Sequence, residues 1–145
     1  QTMLVDTILA TKGSEVATAD SAEPISQAVT RMEGNGIGAL VIIDKAGMPV
    51  GILSERDIAR GVTRHGARLT DTPIASLMTR DLVTCKPGDS VADIMAVMTN
   101  RRIRHVPVLR DGRLAGIISI GDVVKVRLGE IEQEASTLRA YIAGT

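Results

Sequence analysis

Ser54 and Asp57 stand three residues apart in "GILSERDIARG", residues 51–61, and Ser119 and Asp122 repeat that spacing in "GIISIGDVVKV", residues 116–126. In both stretches the pair falls where an apolar run gives way to a helical pattern. A serine followed three residues later by an acid has two chemical uses at that point. One is a capping box, in which the hydroxyl accepts from an exposed backbone N–H and the acid reaches back, stabilising the helix by about 1 kcal/mol. The other is recognition: free N–H groups beside a hydroxyl suit a phosphate, and a nearby carboxylate suits the paired hydroxyls of a ribose. The two uses coexist on the same residues. A single copy reads as capping, whereas two copies, each directly after a Gly-aliphatic-aliphatic strand, point to a binding role as well.

A second cluster lies in "NRRIRHVPV", residues 100–108. Cations at a helix end complement its dipole, which accounts for Arg101 and Arg102. Arg104 and His105 precede an interior strand, Val106-Pro107-Val108, and a guanidinium at a cleft mouth pairs well with phosphate. The glycines of "GNGIG", 34–38, resemble part of a dinucleotide fingerprint but occur where a helix ends and a strand begins, so Gly34 or Gly36 reads as a helix C-cap. Catalysis finds little support. No Ser, His and acid form a nucleophile elbow, and Cys85 has no base partner visible in the sequence. Asp57 and Asp122 brought together by symmetry could do acid–base work, but one Ser–Asp pair per repeat fits one ligand pocket per repeat better. No catalytic residue and no metal site are expected.

The elements that must position these groups occur twice. With Ser54 laid on Ser119, residues 15–43 lie over residues 81–109 at an offset of 66, after one residue is lost from the second hairpin. Each half reads as a short strand (16–18; 82–84), a polar turn, an amphipathic helix, a strand (37–43; 104–109), a glycine turn, a second strand and the Ser-x-x-Asp helix. Ile25, Ala28, Val29 and Met32 form the apolar face of the first helix, and Val91, Ile94, Met95 and Met98 that of the second. The expected class is α+β: two β-α-β-β-α repeats, 7–62 and 73–128, joined by a polar linker, 63–72. Units of about 55 residues bury little apolar surface alone, so the repeats should pack together with pseudo-two-fold symmetry. His65, in the linker, is expected to be an exposed loop residue.

Composition narrows the partners. Lysine plus arginine equal aspartate plus glutamate at 17 each, so no global field attracts nucleic acid, and any basic site must be local. The apolar runs are too short for a membrane span, the first residues do not read as a secretory signal, and a lone cysteine fits a reducing, cytoplasmic setting. With one tyrosine, Tyr141, and no Phe or Trp, a planar ligand must lie between aliphatic side chains.

Through "GALVIIDKAGMPVGILSERDI" and "RHVPVLRDGRLAGIISIGDVV" the chain resembles a tandem pair of CBS (cystathionine β-synthase) domains, a Bateman module, over residues 7 to about 128, and it is expected to be a stand-alone member without an attached enzyme. The resemblance implies two clefts that commonly hold AMP, ADP, ATP or S-adenosylmethionine, and in some stand-alone members NAD(H). By motif match, Asp57 and Asp122 would bind ribose hydroxyls, Ser54 and Ser119 ribose or phosphate, and Thr18 and Thr84 adenine through backbone groups. Ile37, Ile103, Ala39 and Pro107 would sandwich the base, and Arg104 would contact phosphate. Where the second repeat has Lys86 and Arg104, the first has Asp20 and Gly38. Unequal sites are therefore expected, with the second repeat taking the more anionic ligand, Arg56 partly compensating in the first, and contacts across the pseudo-dyad blurring the contrast.

Beyond Asp122 the helix is expected to continue as a tail, 129–145. Val124, Leu128, Ile131, Ala135, Leu138 and Ile142 form a heptad stripe, which either folds back on the repeats or packs against a second chain; Gly129 weakens the helix by about 1 kcal/mol. The resemblance favours a homodimer. The expected function is a non-enzymatic sensor of energy or redox state that signals to an unidentified regulated protein. The rivals are a structural adaptor without ligand and a nucleotide-converting enzyme on the same scaffold.

Overall fold

The computed structural model describes residues 3–144. In chain order the elements are α1 (Val5–Lys12), β1 (Thr18–Asp20), α2 (Ile25–Asn35), β2 (Ala39–Ile43), β3 (Pro49–Ser54), α3 (Glu55–His65), α4 (Val91–Arg101), β4 (His105–Arg110), β5 (Arg113–Ser119) and α5 (Ile120–Ala143), with two 3-10 turns, Gly66–Asp71 and Ile74–Ser76, between α3 and α4. β1 pairs parallel to β2, which pairs antiparallel to β3, and β4 and β5 form an antiparallel pair. This is the expected α+β duplication.

Helix boundaries follow local chemistry. α2 starts after Pro24 and ends at Gly36, whose φ of 62° is the left-handed cap that glycine adopts at no steric cost. α4 is opened by Ser90, whose hydroxyl accepts from the Asp93 N–H. Both α3 and α5 begin with complete capping boxes, from Ser54 with Asp57 and from Ser119 with Asp122. Ile25, Ala28 and Met32 are buried on α2 as the spacing predicts, but Val29 is 39% exposed. Its angular position puts it at the edge of the stripe.

Two aliphatic cores result, and neither is made by one repeat alone. The first combines Ile25, Ala28, Met32, Leu40, Ile42 and Leu53 with Ile74 and Met78, from the segment that leads into the second repeat. The other combines Val91, Ile94, Met98, Val106, Val108 and Ile118 with Val5, Ile8 and Leu9 of α1. Each repeat thus receives the leader of the other. The backbone mirrors this exchange: Ile74 N–H donates to Glu23 O and Ile25 N–H to Thr72 O, while Val5 N–H donates to Asp89 O and Val91 N–H to Met3 O.

Two equivalent glycines make room for the leaders. A Cβ on Gly51 would lie 2.8 Å from the Met78 sulfur, and one on Gly116 would lie 2.5 Å from a Leu9 methyl. A side chain at either position would force Met78 or Leu9 to shift.

Several sequence expectations are corrected. The first strand runs over Thr18–Asp20 instead of 16–18. Residues 82–84 form no strand; pairing there is reduced to one parallel bridge, Cys85 to Val108. The stretch read as a linker is the end of α3 followed by a 3-10 turn, so His65 is a helical residue. α1 was not anticipated at all: eight residues with its apolar side chains at Val5, Ile8 and Leu9 give too little periodicity to separate a helix from a loop.

α5 does run on as one helix of 24 residues through Gly129. Val124, Leu128, Ile131 and Leu138 are 47–58% exposed. The tail therefore does not fold back on the repeats.

Candidate functional site

Two clefts flank the pseudo-dyad, each built from both repeats. One, about 500 Å³, is lined by Ser54, Asp57 and Arg56 at the start of α3, Thr79 from the leader, and the turn Arg101-Arg102-Ile103-Arg104-His105 between α4 and β4. The other, about 1060 Å³, is lined by Ser119, Ile117 and Lys12 together with the turn Asn35-Gly36-Ile37-Gly38-Ala39 between α2 and β2. The smaller volume falls within the range of small-ligand pockets and the larger lies at its upper end. Each cleft sets the capping serine of one repeat against the helix–strand turn of the other; Asp57 lines the smaller cleft, and Asp122 adjoins the larger through Ser119 and Lys12. Gly38 and His105 line both, so the clefts share a wall.

The two carboxylates are held differently. Asp57 is buried; its Oδ2 accepts from the Ser54 N–H at 2.9 Å and the Ser54 hydroxyl at 3.1 Å, while Oδ1 accepts from the Thr79 hydroxyl at 3.2 Å. Asp122 Oδ2 accepts from the Ser119 N–H at 2.8 Å and from Lys12 Nζ at 2.7 Å. Lys12 also donates to Ile117 O at 3.0 Å. Burial by itself would raise the Asp122 pKa, but the Lys12 ammonium and the Ser119 donors outweigh it and hold the carboxyl below its usual range. A neutral hydroxyl thus partners one acid and an ammonium the other.

His105, half-buried in the shared wall, has its pKa lowered mainly by desolvation. Glu55 and Asp122 oppose that shift, while Lys12 and Arg104 add to it. Cys85 is buried and its thiol is pushed up to about 12, first by desolvation and then by Asp89, so it carries no nucleophilic thiolate near neutrality. Among the described residues no cluster of three His, Cys, Asp or Glu side chains is placed to hold a metal, and no helix is long and apolar enough to cross a membrane.

The candidates read from the sequence sort by cleft. Ser54, Arg56, Asp57, Ile103, Arg104 and His105 come together in the smaller cleft. Ile37, Gly38, Ala39 and Ser119 come together in the larger, with Asp122 tied to it through Ser119 and Lys12. Thr18 lies beside the lining residues Val16 and Ala17, with its carbonyl engaged by Arg31 at 2.9 Å. Thr84 and Lys86 are exposed and line neither cleft, and Pro107 is buried in β4 with its carbonyl accepting from the Cys85 N–H. The Arg104 carbonyl accepts from the Ile120 N–H, next to Ser119, yet Arg104 lines the cleft of Ser54. The arginines of the second repeat thus line the cleft of the first Ser–Asp pair, a contact across the pseudo-dyad. Lys12 and Thr79 were not anticipated. Both belong to leader segments, whose crossing to the other repeat no local pattern reveals.

Comparison with known proteins agrees with this architecture. The model of the CBS domain family matches residues 8–64 and 74–129. A CBS domain-containing protein, CBSX3, from Arabidopsis thaliana, described as mitochondrial, is 36% identical over 126 residues, covering 84% of this chain; the chain spans 61% of that relative's length. The crystal structure of the CBS-domain containing protein ATU1752 from Agrobacterium tumefaciens superposes with a TM-score of 0.84 at 39% identity, covering 88% of this chain and 95% of the other. The CBS domain pair of MJ0100, solved in complex with 5′-methylthioadenosine and S-adenosyl-L-methionine, superposes with a TM-score of 0.80 at 28% identity, covering 90% of this chain and 99% of that one.

Proposed function

This chain belongs to the CBS domain family, and from that premise we propose that it is a regulatory module that binds adenosine nucleotides in its two cross-repeat clefts and passes occupancy to a partner. The observation that carries the reading is the pair of clefts, each setting the serine of a capped Ser–Asp motif against a helix–strand turn of the opposite repeat that carries an isoleucine, Ile103 or Ile37. The domain pair of MJ0100 with its two adenosine compounds supports the same ligand class. AMP, ADP, ATP and NAD(H) are the candidates. Asp57 and Asp122 take ribose hydroxyls, and Ile37, Ala39 and Ile103 supply apolar surface for the base. The role is non-enzymatic, in keeping with serines and acids that are engaged in helix caps.

The exposed stripe Val124, Leu128, Ile131 and Leu138 on α5 favours a second copy of the chain as a partner, since a heptad seam buries best against another helix. A reducing compartment such as the cytoplasm suits the free Cys85. Signalling requires that the regulated protein bind the liganded and ligand-free forms with different affinity.

Thermal unfolding of nucleotide-stripped protein tests the reading, with AMP, ADP, ATP, S-adenosylmethionine, NAD⁺ and NADH in turn. Ligand at 100 times its dissociation constant adds about 2.7 kcal/mol, enough to raise the midpoint by several degrees. Asp57→Ala and Asp122→Ala should each remove part of that shift. No shift with any adenosine compound would reduce the Ser–Asp pairs to helix caps and the chain to an adaptor.

A further inference from the structure

The charge difference between the clefts comes from one segment. Where the turn lining the larger cleft reads Asn35-Gly36-Ile37-Gly38, its counterpart lining the smaller reads Arg101-Arg102-Ile103-Arg104. Three guanidiniums replace an amide and two hydrogens. Arg102 is placed there against a backbone preference: its φ is 54°, the left-handed region that the first repeat fills with Gly36. Arg56 and Arg60 of α3 face the same space. Arg56 donates to the Arg102 carbonyl at 3.3 Å, which ties α3 to the arginine turn.

These cations are available. Arg101 pairs with Asp81 at 3.0 Å, but Arg56, Arg60, Arg102 and Arg104 have no ion-pair partner among the described residues. Against them the lining sets the carboxylates of Glu55 and Asp57. In the larger cleft the basic groups are neutralised: Lys12 is paired with Asp122 at 2.7 Å, and Arg31 forms a two-point pair with Glu23 through contacts of 2.7 and 3.1 Å. Glu15 adds a further negative charge to that lining. A chain of phosphates entering the larger cleft would meet no unpaired lysine or arginine.

Resting on the adenosine reading, we infer that the two clefts divide ligands by charge: the Ser54–Asp57 cleft takes a nucleoside di- or triphosphate, and the Ser119–Asp122 cleft takes an adenosine compound without a phosphate chain. Asp57 holds the ribose, and the phosphates extend over Arg102 and Arg104 towards Arg56 and Arg60. Bidentate guanidinium–phosphate contacts then scale affinity with phosphate number. In the other cleft, Asp122 reaches the ribose with its second oxygen while Lys12 stays on the first.

Isothermal titration of the full chain with ATP, AMP and 5′-methylthioadenosine tests the division. ATP should bind the Ser54–Asp57 cleft at least tenfold more tightly than AMP, and the difference should shrink as salt rises. The double variant Arg102→Gln/Arg104→Gln should weaken ATP by tenfold or more and leave 5′-methylthioadenosine within twofold. Asp122→Ala should abolish 5′-methylthioadenosine binding and spare ATP. These arginines are exposed, so the double variant keeps the fold, which circular dichroism verifies. ATP and AMP binding with equal affinity, or ATP surviving the double variant unchanged, would overturn the division while leaving the adenosine reading intact. Failure of all three compounds to bind would overturn both.

Discussion

The two clefts start from the same plan and end with opposite chemistry. Both place the serine of a capped serine–aspartate pair against the turn of the opposite repeat, yet one acid is braced by the hydroxyl of Thr79 and the other by the ammonium of Lys12. One turn carries arginines where the other carries glycines. The capping geometry of the Ser–Asp motif is thus the same in both repeats, while side chains outside the motif differ. What distinguishes the sites lies in the leaders and the turns, not in the motif itself.

The largest effect should come from cutting one leader loose. Leu9→Ala removes a buried side chain that packs α1 onto the second repeat, and should cost about 2–5 kcal/mol in urea unfolding. Because α1 also presents Lys12, the variant should alter ligand affinity in the Ser119–Asp122 cleft and spare the other. An equal loss in both clefts would break the assignment of α1 to one site.

The acids themselves should separate next. Asp57→Ala strips a cap and leaves the Thr79 hydroxyl and Ser54 N–H without their acceptor in a buried place, at about 2–3 kcal/mol. Asp122→Ala strips an equivalent cap, but it releases a partly exposed lysine to solvent and should cost about 1 kcal/mol. Equal costs, read from chemical unfolding midpoints, would show that the bracing groups do not matter. Gly51→Ala and Gly116→Ala probe the symmetric leader contacts and should each destabilise by about 1–3 kcal/mol through overpacking against Met78 and Leu9.

The smallest effect concerns the shared wall. Desolvation holds the His105 pKa below its ordinary value of about 6.5, so the unfolded chain binds its proton first as pH falls. That stability contribution is complete above the unfolded pKa and is lost as pH drops through the lower folded value. His105→Gln should flatten the midpoint against pH as pH falls below the ordinary histidine value of about 6.5. An unchanged profile would assign the slope to other groups.

Much of this molecule is legible in its sequence, and the limits are physical. The capping boxes of α3 and α5, the amphipathic faces of α2 and α4 and the duplication are local patterns, and each is present in the structure. The exchange of leaders is not local. Val5, Ile8 and Leu9 are apolar residues near the first repeat, and nothing in their spacing shows that the surface they cover belongs to residues 91–123. Nor does the sequence show to which cleft Arg104 turns: its carbonyl bonds the N–H after Ser119, while the residue lines the cleft of Ser54. The first repeat's Val16 and Ala17 line a cleft, whereas Thr84 and Lys86 line neither of the two, and the strand expected at 82–84 is reduced to one bridge at Cys85.

The central claim is that each Ser–Asp pair receives a ribose in a cleft completed by the other repeat. A crystal structure of the chain grown with adenosine in excess tests it most directly. The account predicts ribose hydroxyls within about 3 Å of the carboxylates of Asp57 and Asp122, with the bases against Ile103 and Ile37 respectively. Adenosine bound elsewhere, with both carboxylates engaged only in their helix caps, would contradict it.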